Sequence, residues 1–363
     1  VTGARNVAIV GSGIIGCAIA RELAIRGASC TVFDDRPIAG GATQASAGML
    51  APWVEAHDRT PLLDLCVRSL DLYDSWITAI RAESGFDIEY RRIGTLEVAL
   101  DRAHADALRS AADDPCGSPR VWFEPERAVR DYPVLGAVAG ALHTPAHGYV
   151  AAASLASALA AAAMRHGASF ERATVTRIDR ADRTVSVTTR SGTSQADGVV
   201  IAAGAWTNAI AGVRTPPVHP VRGQLLQLGW RGQPLSTIVW GPECYIVPRL
   251  DGSVLIGATV EDAGFDERTT AAGVRDLLEA ACELLPEAWH ASFLGARVGL
   301  RPATPDELPA LGPAPEMPEV VHALGHYRNG VLLAPITARI VADWIVDGRR
   351  DPAFDAFDPG RFF

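Results

Sequence analysis

Residues 6–35, NVAIVGSGIIGCAIARELAIRGASCTVFDD, carry two apolar runs separated by a glycine-punctuated helical pattern. Val7–Val10 and Thr31–Phe33 have the length and branched side chains of short buried strands. Between them Gly11, Gly13 and Gly16 lead into a helical pattern that runs to Arg26, and Asp34 stands twenty-one residues after Gly13. Strand, glycine turn, helix, strand and acid at this spacing form a dinucleotide fingerprint. Gly11 permits the tight turn, Gly13 lets the backbone approach a pyrophosphate, and Gly16 lets helix and strand pack closely. The helix N-terminus, at Ile14 and Ile15, offers unpaired N–H groups to phosphates. Asp34 accepts hydrogen bonds from ribose hydroxyls and disfavours a 2′-phosphate there.

The 363 residues suffice for two domains or one large one, and a hydrophobic content of 48% supports a sizeable core. A net charge of −9 without a basic block argues against a nucleic-acid partner. Gly, Pro or charge interrupts every apolar run before it reaches membrane-spanning length, so no membrane span is expected. No charged region followed by an apolar stretch marks a signal peptide at the start. Cysteines 17, 30, 66, 116, 244 and 282 are scattered without a C-x-x-C pair. They are expected as buried thiols in a reducing cytoplasm.

The chain contains no lysine; all 33 basic residues are arginine. A Schiff-base lysine and a P-loop lysine are both excluded, and with them pyridoxal-phosphate chemistry and ordinary P-loop NTPases. A genome that favours Arg and Ala codons accounts for the bias, so any single arginine needs support from its context.

After Asp34 the loop PIAGGATQASAGMLAP (37–52) is dense in small residues, which suggests backbone lying close to something bulky. Residues 61–84 carry a long amphipathic helix ended by Gly85, with Leu62, Leu65, Leu72, Tyr73, Trp76 and Ile80 near helical spacing. Residues 88–100 turn strand-like, a short helix covers 104–112, and 121–145 contains turn residues and prolines. An alanine-rich helix spans 151–166, closed by Gly167, with Leu155, Leu159 and Met164 on its apolar face. Residues 170–189 suggest a hairpin turning at RIDRADR, and GVVIAAGAW (198–206) a buried strand whose C-terminal end approaches a ligand. Alternation through 218–259 predicts an antiparallel sheet, and 271–285 a helix. Residues 320–348 run strand, glycine-rich turn, helix. The pattern is that of a second sheet inserted into a nucleotide-binding domain.

Neither His143/His147, separated by Pro145, nor His322/His326, around Gly325, has the setting of a metal pair, so no metal is expected. There is no H-E-x-x-H, and QASAG has Gln44 where a nucleophile elbow needs glycine. Three polar residues stand out in apolar blocks: Tyr245 in CYIVPR, Arg301 in GLRPAT and Arg328 in GHYRNG. An arginine fork suits a carboxylate, and a tyrosine hydroxyl adds a further hydrogen bond.

VAIVGSGIIGCAIA, ATQASAGMLAP, CYIVPR, LIGAT, GLRPAT and GHYRNGVLLAP, in this order, resemble the glycine oxidases of thiamine biosynthesis, in the D-amino-acid oxidase superfamily. The resemblance covers nearly the whole chain and implies non-covalent FAD, with Asp34 and Asp35 at the adenosine ribose. Ala42, Thr43, Ala47, Gly48 and Met49 would lie along the pyrophosphate and flavin, Val175 by the adenine, and Gly204 beside the cofactor. His326, Tyr327, Arg328, Asn329, Gly330, Val331 and Leu332 would line the flavin ring. Arg301 and Tyr245 would hold the substrate carboxylate, with Arg328 and Met49 beside the substrate. Glu243 departs from a relative that carries histidine there; a carboxylate favours an ammonium or secondary amine and leaves the substrate range open. Covalent flavin attachment is not expected, since only Cys17 and Cys244 fall in the matching blocks.

The expected fold is α/β plus α+β, a Rossmann-like FAD-binding domain (1–85, 145–215, 296–363) with an inserted, mainly antiparallel substrate domain (86–144, 216–295). The implied activity is oxidative deamination of glycine or another small amino acid, sarcosine and D-amino acids included, with oxygen as acceptor and no obligatory catalytic base. The partners implied are the amino acid and oxygen, in a cytoplasmic homo-oligomer, often a tetramer. Two rivals stand beside it. One is a dehydrogenase of the same fold passing electrons from a D-amino acid, proline or sarcosine to a quinone or partner subunit. The other is a flavoprotein domain serving tRNA modification, against which the acidic charge weighs.

Overall fold

The computed structural model describes residues 6–55, 60–113 and 119–363. The opening stretch forms strand Asn6–Val10, helix Ile14–Ile25 and strand Ser29–Asp34, the two strands parallel with Val10 opposite Phe33. They stand inside a six-stranded sheet ordered Ala310–Ala314, Met317–Leu324, Gly198–Ile201, Asn6–Val10, Ser29–Asp34, Ser169–Arg172. Every pair is parallel except the first. Both neighbours of Asn6–Val10 in the sheet, Ser29–Asp34 and Gly198–Ile201, follow it in the chain, so the order reverses there and a crevice opens beyond its C-terminal end, where such sheets bind ligands.

Helices Ile14–Ile25, Ala152–Arg165 and Gly330–Ala342 pack together over this sheet, and helix Pro61–Ser84 lies on the last two. The last of these begins with Pro61 at its first position and Thr60 Oγ1 accepting from the Leu63 N–H at 3.2 Å. It stops at Gly85, whose φ of 74° suits a residue without Cβ. From its buried side Ser69 Oγ donates to the Leu332 carbonyl at 2.6 Å and the Tyr73 hydroxyl to that of Val331. These bonds fix where helix Gly330–Ala342 starts.

An eight-stranded sheet faces the crevice, ordered Ser292–Ala303, His219–Gly229, Ser253–Gly257, Tyr245–Pro248, Ile238–Trp240, Thr95–Ala99, Gly140–Thr144, Val121–Phe123. Its pairs are antiparallel except Ile238–Trp240 with Thr95–Ala99. One face, with Leu226, Ile246 and Ile256, packs with Leu277 and Leu284 of helix Ala271–Leu284. The other face, with Leu225, Val247 and Leu255, meets Ala47, Met49 and Tyr245.

Three expectations need correction, and the stretch 121–145 gains definite elements. Residues 169–172 leave the hairpin and join the parallel sheet beside Ser29–Asp34, so the hairpin is Val175–Ala181 with Thr184–Thr189. The stretch 121–145 holds strand Val121–Phe123, helix Pro125–Asp131 and strand Gly140–Thr144. Met164 is 47% exposed, and close packing of Ala156, Ala160 and Ala163 with Leu155 and Leu159 forms the buried face instead. Strand Ser292–Ala303 crosses the boundary expected at 296, because it pairs with His219–Gly229 from end to end, with one irregularity at Leu294. Cys17, Cys30, Cys66 and Cys244 are buried and Cys282 is partly buried; Cys116 lies outside the described residues. No helix among the described residues is long and apolar enough to cross a membrane.

Candidate active site

A cavity of about 800 Å³ lies between the crevice of the parallel sheet and the inner face of the eight-stranded sheet. Gly11, Gly13, Ile14 and Ile15 form its wall at the fingerprint. Gly11 sits at φ 109°, where a Cβ would stand 2.3 Å from the Ala202 carbonyl oxygen, so only glycine brings the two strand ends this close. The helix has no side-chain cap from Gly13; Thr43 Oγ1 instead accepts from the Ile14 N–H at 3.1 Å. The rest of that N-terminus is turned to the cavity, with the partial positive charge of a helix start.

Asp34 closes its strand at the same end. Its Oδ2 accepts from Ser12 N at 2.7 Å and Ser12 Oγ at 2.9 Å, and its Oδ1 from Arg36 N at 2.9 Å. These bonds fix the carboxylate orientation within the wall. Asp35 and Val175 lie alongside, with Thr174 Oγ1 donating to Asp35 Oδ2 at 2.9 Å. Ala42, Thr43, Ala47, Gly48 and Met49 continue the wall, and Gly204 borders it from across. Gly48, at φ 73°, lies so close to Val150 that a Cβ would be 1.7 Å from its carbonyl oxygen.

The eight-stranded sheet supplies Tyr245, Arg301 and the exposed Glu243. Tyr245 stacks on Trp240, its neighbour across the strand pair, with ring centroids 5.3 Å apart. Arg301 Nη1 donates to the Thr259 carbonyl at 3.0 Å and the Arg222 carbonyl at 3.4 Å, which anchors one side of the guanidinium. Glu261 accepts from Arg222 at 2.6 Å, Gln224 at 2.8 Å and Thr259 at 2.5 Å. Burial alone would raise the Glu261 carboxyl, but these hydrogen bonds outweigh it and hold it below the usual range. Glu261 and Arg222 thereby balance each other's charge.

His326, Tyr327, Arg328, Gly330 and Val331 complete the cavity from the turn before helix Gly330–Ala342. Tyr327, at φ 46°, is held by its N–H donating to the Pro302 carbonyl at 3.1 Å. Burial pushes His326 down to about 3, so its ring is neutral, and Nε2 meets Thr337 Oγ1 at 3.1 Å. That pairing turns the imidazole into the helix. Arg328 is exposed, with its guanidinium 5.2 Å from the Tyr327 ring centroid.

Three sequence-predicted residues lie off the cavity wall. Gly16 is packed behind the fingerprint, where a Cβ would be 1.9 Å from the Gly11 carbonyl oxygen. Asn329 is buried as the residue before the helix, and Leu332 points into the core between helices. Conversely Arg36, Trp206, Trp240, Thr259 and Pro302 are wall residues that the motifs did not single out. Trp206 ends the block GVVIAAGAW and Trp240 precedes CYIVPR, so adjacency to a motif was the signal available. Among the described residues no group of three or more His, Cys, Asp or Glu is placed to hold a metal ion.

Residues 6–344 match the model of the family described as FAD dependent oxidoreductase. The chain is 38% identical over 359 residues to a glycine oxidase of Geobacillus kaustophilus, covering 96% of this chain and 94% of that one. A crystal structure of glycine oxidase from the same species superposes with a TM-score of 0.93 at 36% identity, covering 100% of both chains. The bifunctional protein ThiO/ThiG of Trichormus variabilis is 37% identical over 365 residues. There the match takes in 99% of this chain but 55% of the relative, so the chain spans about half that protein's length.

Proposed function

The chain belongs to the FAD-dependent oxidoreductase family, and from that premise we propose that it oxidises glycine or another small amino acid to the 2-oxo acid, ammonia and hydrogen peroxide. The observation that carries this is the pairing, in one cavity, of the nucleotide fingerprint with Arg301 and Tyr245. The fit to FAD is supported by the helix start that lacks a side-chain cap at Gly13 and by the close approach of Gly48 to Val150. A non-covalent cofactor agrees with the cavity-lining Cys244, whose thiol burial pushes up to about 12, with Glu243 adding to the rise. FAD held there would supply the two-electron acceptor and the route from substrate to oxygen.

The protein's part is orientation and electrostatics. Arg301 takes the substrate carboxylate through its planar fork, held in place by the Thr259 carbonyl. Tyr245 adds its hydroxyl, kept in line by the stack on Trp240. Together they fix the carboxylate end, so the Cα–H direction follows. The substrate ammonium sheds a proton to water before the Cα–H bond breaks, which makes no side-chain base obligatory. Water then hydrolyses the imino acid. Glu243 at the cavity wall favours a cationic or secondary amine. The first turn of helix Gly330–Ala342 contains no acid, and its N-terminus gives that wall a positive partial charge.

In this proposal residues 1–85, 145–215 and 304–363 serve the cofactor and 86–144 and 216–303 the substrate, with strand Ser292–Ala303 counted in its own sheet. A homo-oligomer in the cytoplasm, acting in thiamine biosynthesis, completes the assignment. Assembly is supported by Phe293 and Leu294, exposed on the edge strand of the eight-stranded sheet, and by Trp289, exposed in the short helical turn just before it. The test is a substrate panel of glycine, sarcosine, D-alanine and D-proline with the flavin-loaded protein under air. Stoichiometric peroxide is expected; reduction of a dye without peroxide would make it a dehydrogenase. Arg301→Ala is expected to keep its bound flavin and lose about 100-fold in kcat/KM, and wild-type turnover would remove Arg301 from the carboxylate role.

A further inference from the structure

Arg36 and Trp206 belong to a cluster that extends beyond the fingerprint. The Arg36 guanidinium lies 4.0 Å from the Trp206 ring centroid. It donates to both carboxylate oxygens of Glu267, at 3.0 and 2.5 Å, and to the Gly40 carbonyl at 3.0 Å. Trp206 also meets Phe265, with ring centroids 6.0 Å apart, and lies over Gly41, where a Cβ would stand 3.4 Å from the indole.

Glu267 and Phe265 come from residues 262–270, which join the eight-stranded sheet to helix Ala271–Leu284. This segment is pinned at both ends. Arg222, buried at the sheet, pairs with Glu261 at 2.6 Å and Asp266 at 3.1 Å. Thr270 exchanges hydrogen bonds with the Gln224 side chain at 2.8 and 2.9 Å. The sheet that carries Tyr245 and Arg301 therefore reaches across to the residue two places after Asp34.

We propose that Arg36, Trp206 and Glu267 form a clamp at the adenosine end of the cofactor site, in which Glu267 fixes the Arg36 guanidinium against the indole beside Asp34. Arg36 and Trp206 are the binding pair and Glu267 the positioning residue. The ion pair is about 30% exposed on each side, so as an isolated pair it adds little stability. Its effect is to hold a cation over an aromatic face, where the attraction is larger. The clamp rests on the family's cofactor alone and not on the choice of substrate or electron acceptor.

The test is the rate at which FAD leaves the holoenzyme, read without substrate from the rise of free-flavin fluorescence in the presence of an apoflavoprotein trap. Glu267→Gln is expected to release FAD about three- to tenfold faster at low salt. Molar NaCl is expected to speed release from wild type and leave Glu267→Gln unchanged. Trp206→Phe, which keeps an aromatic core, is expected to fall between the two. The apoproteins should share one Tm while the variant holoproteins melt lower. Equal release rates with equal salt responses would overturn the clamp, and so would a Glu267→Gln apoprotein destabilised as much as its holoprotein.

Discussion

Gly223 and Gly257 decide where Arg301 and Tyr245, the two side chains proposed to hold the substrate, stand. A Cβ on Gly223 would lie 2.4 Å from Arg301 Nη1, and one on Gly257 would lie 2.4 Å from the Tyr245 hydroxyl oxygen. Each missing side chain is the space its neighbour fills. Gly223→Ala is expected to push the guanidinium off the Thr259 carbonyl and raise KM for glycine about 10- to 100-fold, with the bound-flavin spectrum retained. Unchanged kinetics would show that Arg301 tolerates displacement. Tyr245 and Arg301 were legible in the sequence because each is a polar residue inside an apolar block. The two glycines were not, since the groups they accommodate lie 78 and 12 positions away along the chain. Arg36 was hidden differently: in a chain with 33 arginines and no lysine, one more arginine carries no signal until its partners are seen.

Helix Pro61–Ser84 shows how an element far from the cavity fixes its geometry. Its periodicity and Gly85 stop made it readable, but its polar contacts with Val331 and Leu332 were not, being set by packing between helices. Tyr73→Phe leaves the Val331 carbonyl without that donor inside the core. The expected cost is about 1–3 kcal/mol of unfolding free energy, measured by urea denaturation of the holoprotein. An equal stability would mean that the carbonyl finds another donor. Short strands were the least legible elements. Ser169–Arg172, mostly exposed, carries no alternation that distinguishes a hairpin arm from a parallel edge strand, and its partner lies at Thr31–Asp34.

For the whole molecule, buried titratable groups set the pH range of stability. Burial raises the Glu97 carboxyl from 4.5 to about 7, with Arg120 opposing. The folded state then binds this proton more tightly than the unfolded chain, so the group's contribution falls as pH rises from 4.5 through 7, by about 3 kcal/mol at most. His147 and His326 act oppositely: burial lowers both from 6.5 to about 3, and their contributions are lost as pH falls through that span. Glu97→Gln is expected to raise Tm at pH 8 and stay near wild type at pH 5; an equal shift at both would exclude titration of Glu97 as the cause. The two-sheet plan was legible because fingerprint and alternation repeat over long spans, whereas the crossing at 262–270 has no repeating pattern to read. The thiols have a consequence for endurance. Burial pushes Cys30 and Cys244 up to about 12 and Cys17 higher still. Roughly one Cys244 in 10⁵ is therefore a thiolate at neutral pH, and the thiolate is the form peroxide oxidises. In the proposed reaction peroxide is born in the cavity that Cys244 lines. The Cys244 thiol so placed is spared by the product formed beside it, which leaves the thioether of Met49 on the same wall as the sulfur open to peroxide.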